Sequence, residues 1–312
     1  MINLFHIPTY NIDTSRFSNL LHDKIVRKFE ENFADYVGAK YAVSFNSATS
    51  AIFLYFKNKE LQVKIPSILP PVVANALFTT GQTVTFKDDI NWVGNSYVLY
   101  KFQNGMKIID SAHEVRKGQF LDQDVNDYDI MIFSFYPTKI ISSCDGGMIV
   151  SNDKDIIDWL RLLSFNGIRL GGNSWEKKPE TIGYKMYMNS IQAYMANESF
   201  KNIYYKKAVL SEVRYRYNDA FGLANTSEHL YRIHVKDNQQ FIKDAAAAGI
   251  GCGIHYHALH KQFLYNTDIF AELPLSDIEE KTTVSLPYHE KLTLSDIKKV
   301  IEFVKKYGNK DS

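Results

Sequence analysis

The stretch that most constrains this chain runs from Tyr128 to Asp153, YDIMIFSFYPTKIISSCDGGMIVSND. Its apolar run, Ile130 to Phe135, is too short to span a bilayer and too rich in β-formers for a core helix, so it reads as a buried strand. Tyr136-Pro137-Thr138-Lys139 follows as a turn carrying one lysine. After a polar segment come Gly146-Gly147 and a second strand, Met148 to Ser151. Lys139 therefore sits just off the carboxyl end of a buried strand, the place where open α/β sheets bind ligands. A surface lysine titrates near about 10.4 and is a poor nucleophile. One held in a partly dry pocket beside another cation can lose its proton and attack a carbonyl. From this stretch alone, a solvated turn lysine is the simpler reading.

The rest of the chain supports an α/β fold. Strands at Tyr41–Phe45, Gln62–Pro66, Thr83–Phe86, Tyr97–Tyr100 and Met106–Asp110 alternate with helical patterns, which argues a mainly parallel central sheet flanked by helices. Helices are expected at Ser18–Val37 (stopped by Gly38), Ala51–Phe56, Val72–Thr79 and Asp155–Leu163, with one long helix at Asn189–Arg216. After Gly222 the pattern changes: a strand at His229–Val235, a helix at Asn238–Ala248, a strand at Gly253–Tyr256 and a closing helix at Leu294–Tyr307. We therefore expect a large domain over residues 1–215, with an N-terminal arm, and a smaller C-terminal α+β domain over 216–312.

Composition narrows the function classes. The chain has 312 residues and a net charge of +1, so no global field favours nucleic acid or an anionic membrane, and no basic recognition helix supports a DNA-binding regulator. Two cysteines, Cys144 and Cys252, make no disulfide framework and suit a reducing cytoplasm. The N-terminus lacks the basic and apolar regions of a signal peptide, and no apolar run is long enough for a membrane span. Plentiful Tyr and Phe, 20 of each, suit a large core and a subunit interface.

Several short stretches could carry chemistry. Asn46-Ser47-Ala48-Thr49-Ser50 opens a helix, where small hydroxyl residues are caps first and a phosphate seat second. Asp110 ends its strand as Lys139 follows its own, and an acid there can keep a ring nitrogen protonated or cap the next helix. Cys252, His255, His257 and His260 have metal-ligand chemistry but no clean ligand spacing, so no metal is expected.

Taken in order, these landmarks resemble the DegT/StrS family of pyridoxal-phosphate (PLP)-dependent sugar aminotransferases. FEENFADYVGAKYAVSFNSATSAI resembles the family's entry helix, strand and phosphate-binding turn, and IIDSAHE its strand-end acid motif. FSFYPTKIISSCDGGMIVSND resembles its lysine motif, and IGYKMYMNSIQA the motif before its long helix. IHYHALHKQ and VSLPYHEKLTLSDIKKVI resemble its small-domain signatures. The resemblance implies a fold-type I PLP transferase, a homodimer with each active site completed by its neighbour, acting on a nucleotide keto-sugar with an amino-acid donor, glutamate first among them. Lys139 falls on the Schiff-base lysine and Asp110 on the partner of the pyridine nitrogen. His113 falls beside the PLP phenolic oxygen, where the family usually has Gln, and Ser134 on the phosphate-contacting serine. Ala48 and Thr49 fall on the Gly-Thr pair at the phosphate, and Lys185 on an Asn that reaches the partner's phosphate. Lysine at position 139, in place of the His found in dehydrating relatives, implies amino transfer.

The chain also departs from the pattern. Pro70 occupies the place of the aromatic residue that stacks on PLP, and Ala48 adds a methyl group where Gly is usual. Asn166 replaces a His, and Cys144-Asp145 replaces Gly-Glu. These departures leave room for an alternative, a non-catalytic or weakly catalytic homologue that binds PLP or a nucleotide sugar.

Overall fold

The structure is a computed structural model and describes residues 1–169, 177–265 and 272–308. The chain opens with an arm, residues 1–13. Ile2 donates its N–H to Gly249 O at 2.8 Å and accepts from Gly251 at 2.7 Å, tying the arm to the C-terminal part. Helix α1, Lys24–Val37, buries Val26, Phe29, Phe33 and Val37 on one face and ends at Gly38. Gly38 has φ 85°, a left-handed position that suits glycine, and its N–H caps the Ala34 carbonyl. The helix is shorter than the pattern predicts. Asp23 Oδ2 takes the N–H of Ser18 (2.7 Å) and of Asn19 (3.1 Å), which folds residues 18–23 into a turn and leaves Leu20 and Leu21 exposed.

Strand β1 (Tyr41–Phe45) leads into α2 (Ala48–Phe56), whose cap is Ser47: its Oγ accepts the Ser50 N–H at 3.0 Å. A βαβ unit follows: β2 (Gln62–Pro66), α3 (Pro71–Thr79) and β3 (Thr83–Lys87), with β2 and β3 paired in parallel. Next come β4 (Tyr97–Lys101), β5 (Lys107–Asp110), β6 (Ile130–Ser134) and β7 (Gly147–Ser151). The main sheet has the order β1-β7-β6-β5-β4. The expected α/β class holds, but the sheet is mixed rather than mainly parallel: within it, β5–β6 is the parallel pairing and β1–β7, β6–β7 and β4–β5 are antiparallel. Connection length explains the difference, since residues 102–106 are too few for a crossover and can only make a hairpin.

Side chains on β6 and β7 alternate between two cores. Ile130, Ile132 and Ile149 enter one with Val43, Phe45 and Leu54. Met131, Phe133, Met148 and Val150 enter the other with Phe29 and Phe33 of α1. Burial on both faces is why these strands read as unbroken apolar runs. α4 (Lys154–Ser164) covers the first core.

The expected long helix is two: α5 (Ser190–Lys201) and α6 (Ile203–Phe221). They separate at Asn202, whose side chain donates to Glu198 O at 2.9 Å and competes with the backbone ladder. α6 runs from the main domain into a third core, where Leu210, Val213 and Tyr217 meet Tyr231, Val284, Val300 and Val304. A chain division at 215/216 would cut this helix. The C-terminal part adds β8 (Tyr231–His234), α7 (Asn238–Ala247), α8 (Pro274–Thr282), β9 (Thr283–Leu286) and α9 (Leu294–Tyr307), with β8 and β9 antiparallel. The strand expected at Gly253–Tyr256 is absent; that stretch makes a single bridge, Gly253 to Ser285.

Candidate active site

The loop between β6 and β7, residues 135–146, carries Lys139 and is fixed at both feet. Phe135 donates to Gly146 O at 2.9 Å and accepts from Ser143 N–H at 2.8 Å. Lys139 N–H closes the turn on Tyr136 O at 2.8 Å. Outer supports hold the loop as well: Lys206 of α6 donates to Ile140 O (3.1 Å), Ser199 Oγ accepts the Ser142 N–H (2.9 Å), and Tyr10 of the arm donates to Ser142 O (3.2 Å). The lysine is thus a fixture on a braced loop, not a solvated turn residue.

Its amino group points inward. Nζ lies 3.0 Å from Nε2 of His229, a residue 7% exposed at the entrance to β8. Burial pushes the amine down from 10.5 to about 7, against the pull of the Asp110 carboxylate. A large share of the lysine is therefore neutral near pH 7, the form that attacks carbonyls.

Asp110 ends β5 and is 5% exposed. Its Oδ1 accepts the Ala112 N–H at 2.9 Å and its Oδ2 accepts the Tyr97 hydroxyl at 3.1 Å. Burial raises its pKa, while these two donors and the Lys139 charge hold it down. His113, 4% exposed, has both ring nitrogens engaged: Nδ1 accepts the Gly94 N–H at 3.1 Å, and Nε2 meets the Tyr256 hydroxyl at 2.8 Å. With Nδ1 accepting, the proton sits on Nε2 and is given to Tyr256. Burial first, and Lys139 second, keep this ring neutral. What His113 presents to the site is its ring face, which lies against Trp92 (centroids 5.1 Å) and His229 (4.6 Å).

The phosphate corner is made of backbone. Ser134, the last residue of β6, pairs with Gly147, the first of β7. A Cβ on Gly147 would lie 2.4 Å from Ala48 N and 2.5 Å from its Cα, so glycine is required for the start of α2 to settle on the strand. Ser134, Ala48 and Thr49 are thereby gathered at one helix N-terminus. The N–H groups of Ala48 and Thr49 have no acceptor within the helix, and the dipole there favours an anion. Lys185 is exposed, one residue from Met186, whose carbonyl accepts the Asn46 N–H (2.8 Å) at the turn into α2. A buried acid, a half-neutral amine and an anion seat are the features a PLP site needs, and the residues fit that group. Pro70 caps α3 with no aromatic side chain of its own.

The four candidate metal ligands go separate ways. His255 Nδ1 meets Ser285 Oγ (2.8 Å), His257 meets Glu280 (3.3 Å), and His260 Nδ1 meets Ser67 Oγ (2.6 Å). Cys252 is a free thiol whose pKa burial raises to about 12. Among the described residues no group of His, Cys, Asp and Glu is placed to hold a metal ion.

Sequence reading missed His229, Tyr256, Trp92 and Tyr97. Tyr256 lies inside the IHYHALHKQ stretch, between the histidines that drew the reading; the other three lie in no quoted motif and reach the site through the fold, His229 from a position 90 residues beyond Lys139.

Comparison with known proteins decides the family. The model of the DegT/DnrJ/EryC1/StrS aminotransferase family matches residues 12–90 and 103–305. The chain belongs to this family. Among curated relatives, the spore coat polysaccharide biosynthesis protein SpsC of Bacillus subtilis is 28% identical, over 90% of this chain and 88% of its own length. The UDP-4-amino-4,6-dideoxy-N-acetyl-beta-L-altrosamine transaminase of Campylobacter jejuni (strain NCTC 11168) is 26% identical, over 92% of this chain and 93% of its own. Among solved structures, Helicobacter pylori PseC, an aminotransferase involved in pseudaminic acid biosynthesis, superposes with a TM-score of 0.80 at 19% identity. That match covers 99% of this chain and 100% of that one. The fold is fold-type I, as expected.

Proposed function

We propose that this DegT/DnrJ/EryC1/StrS aminotransferase uses PLP to move an amino group from an amino acid, glutamate first, to a keto-sugar carried on a nucleoside diphosphate. The observation that carries the reading is the placement of Lys139: a half-buried, braced amine held partly neutral, with Asp110 behind it at the end of the neighbouring strand. Family membership and the transaminase named for the Campylobacter relative support it.

When bound, PLP supplies a carbonyl for amine exchange and an electron sink for the proton shift at the amino-acid Cα. Lys139 would hold it, and Asp110 would keep its ring nitrogen charged. Ser134, with the N–H groups of Ala48 and Thr49, would hold its phosphate, and His113 would lie against the ring. Once released, the Lys139 amine is the general base and acid of the reaction, with a pKa near working pH. Trp92 and Tyr256 pack on His113, and Tyr97 holds Asp110. Lys185 would reach the phosphate held by a second copy, which makes the working unit a homodimer with shared sites. Two free cysteines support a reducing cytoplasm as its setting, and the Bacillus relative's name supports a polysaccharide pathway.

A panel of nucleotide keto-sugars with glutamate, read by product mass, tests the reading. At least one sugar should gain an amine. If PLP binds tightly and none reacts, the substrate class is wrong. Pro70 and Ala48 favour the second reading, a non-catalytic or weakly catalytic binding homologue, and a colourless protein that takes up no added PLP would favour its non-catalytic form.

A further inference from the structure

The contact between Lys139 and His229 joins the β6–β7 loop to the segment entering β8, in a different part of the fold. Three features show that the contact is built. His229 is anchored from behind: its backbone N–H, like that of Leu230, is held by Ser227 Oγ (3.1 and 3.2 Å), and that hydroxyl donates to Gly94 O at 3.1 Å. Gly94 in turn donates to His113 Nδ1, so the two histidines share one support. The imidazole also has two ring neighbours. Phe5 of the arm stacks on it with centroids 6.0 Å apart and planes 16° apart, and His113 packs at 4.6 Å on its own account. Phe5 itself is wedged edge-on against His255 at 5.6 Å. Little freedom remains for the ring to turn its Nε2 away.

We propose that His229 is a positioning residue for the active-site lysine: its Nε2 accepts a hydrogen from Lys139 Nζ, aiming the nitrogen lone pair at the cofactor side and steadying the ammonium form whenever the amine takes up a proton. The inference rests on Lys139 being the cofactor-holding lysine. Burial keeps the imidazole neutral, with the Lys139 charge a further cause, so it is an acceptor and not a competing cation. An amine has one lone pair and two hydrogens when neutral. Engaging a hydrogen on the His229 side leaves the lone pair free on another. The other groups that bear on Lys139 are Asp110, His113 and His255 on the inner side. On the outer side a cavity of about 30 Å³ brings in His6 of the arm, Lys206 of α6, and Glu228, His289 and Glu290. Of these, His229 is the group with a direct hydrogen bond to the amine among the described residues.

The sign of the effect is fixed. An acceptor stabilises the ammonium more than the neutral amine, so removing it lowers the lysine's pKa below its present value. The test is pH-dependent acylation of the cofactor-free full chain, followed by peptide mass spectrometry, with an exposed lysine such as Lys64 as the internal reference. In wild type, Lys139 should label with a midpoint near the value set by burial. In His229→Leu the midpoint should fall by about one pH unit, and added PLP should be captured at Lys139 roughly tenfold more slowly. His229→Gln, which keeps an acceptor oxygen, should restore both. Equal midpoints in wild type and His229→Leu, or an upward shift, would overturn the proposal, as would failure of Gln to rescue in a variant with wild-type thermal stability. If His229→Leu does not fold, the Gln variant compared with His229→Ala decides in the same way. Borohydride trapping of PLP keeps the two readings apart. A label on another lysine sinks the proposed function, whereas a label at Lys139 with an unmoved midpoint sinks only the role of His229.

Discussion

Two lysines meet at one loop of this protein, one carried by it and one bracing it, and they are held for different ends. Lys206 is 8% exposed and spends its donors on fixed acceptors, Ile140 O at 3.1 Å and Ser199 Oγ at 2.8 Å. Burial lowers its pKa, but it has two fixed oxygen partners and acts as a brace. Lys139 meets a histidine nitrogen that burial keeps neutral, and the carboxylate that acts on it, Asp110, is already occupied by Tyr97 and Ala112. The difference teaches that depth alone does not make a lysine reactive. The chemistry of its acceptors does, and Lys206 supplies the rigidity that lets Lys139 remain underpaired.

The sharpest break of this comparison is to exchange the two losses. Lys139→Ala should lower amino transfer by about 10³-fold or more, while leaving the fold intact. Reductive trapping of PLP at the 139 peptide should vanish with it. Lys206→Met should do the reverse, costing about 1–3 kcal/mol of stability by orphaning the Ile140 carbonyl, with Lys139 still trappable. Equal effects from the two substitutions in a denaturation series and a turnover assay would erase the distinction.

The phosphate corner offers a second contrast, since it is built of backbone. Gly147→Ala would push a methyl group into the first residue of α2 and should destabilise by about 1–3 kcal/mol while weakening PLP binding. Equilibrium dialysis with PLP, alongside thermal melts, reads both.

A pH series isolates Lys139 further. Its folded pKa of about 7 lies below the 10.5 of the free side chain, so between those values the unfolded chain binds the extra proton. Stability contributed through this group therefore rises as pH climbs from about 7 towards 10. Denaturation of the cofactor-free protein should show that slope, and Lys139→Met should flatten it. The smallest expected effect is at Pro70: Pro70→Tyr should tighten PLP by about 0.5–1.5 kcal/mol if an aromatic there can reach the ring.

Much of this was legible in the chain itself. β2 and α9 begin and end where their patterns place them, because each is set by strong local signals: alternation before Pro66, and the Thr293 cap before Leu294. Lys139, Asp110 and Ser134 stood out as candidates because each lies at or just past the carboxyl end of an apolar strand. Helix α1 was overread, since the apolar pair Leu20-Leu21 fits a helical face while Asp23 holds the backbone out of one. The mixed sheet was hidden because side-chain patterns report burial and not strand direction. His229 left no local trace, and Tyr256 none beyond its place in the IHYHALHKQ stretch; their placement depends on how the C-terminal part packs onto the first.

Helix α6 has one end on the braced loop, through Lys206, and the other in the C-terminal core, through Leu210, Val213 and Tyr217. A rod clamped at both places transmits tilt. Whatever repositions the C-terminal part is mechanically linked to the turn that carries Lys139, while His229 rides on that same part. Lys139 and His229 thus sit on two parts of the chain that one helix joins.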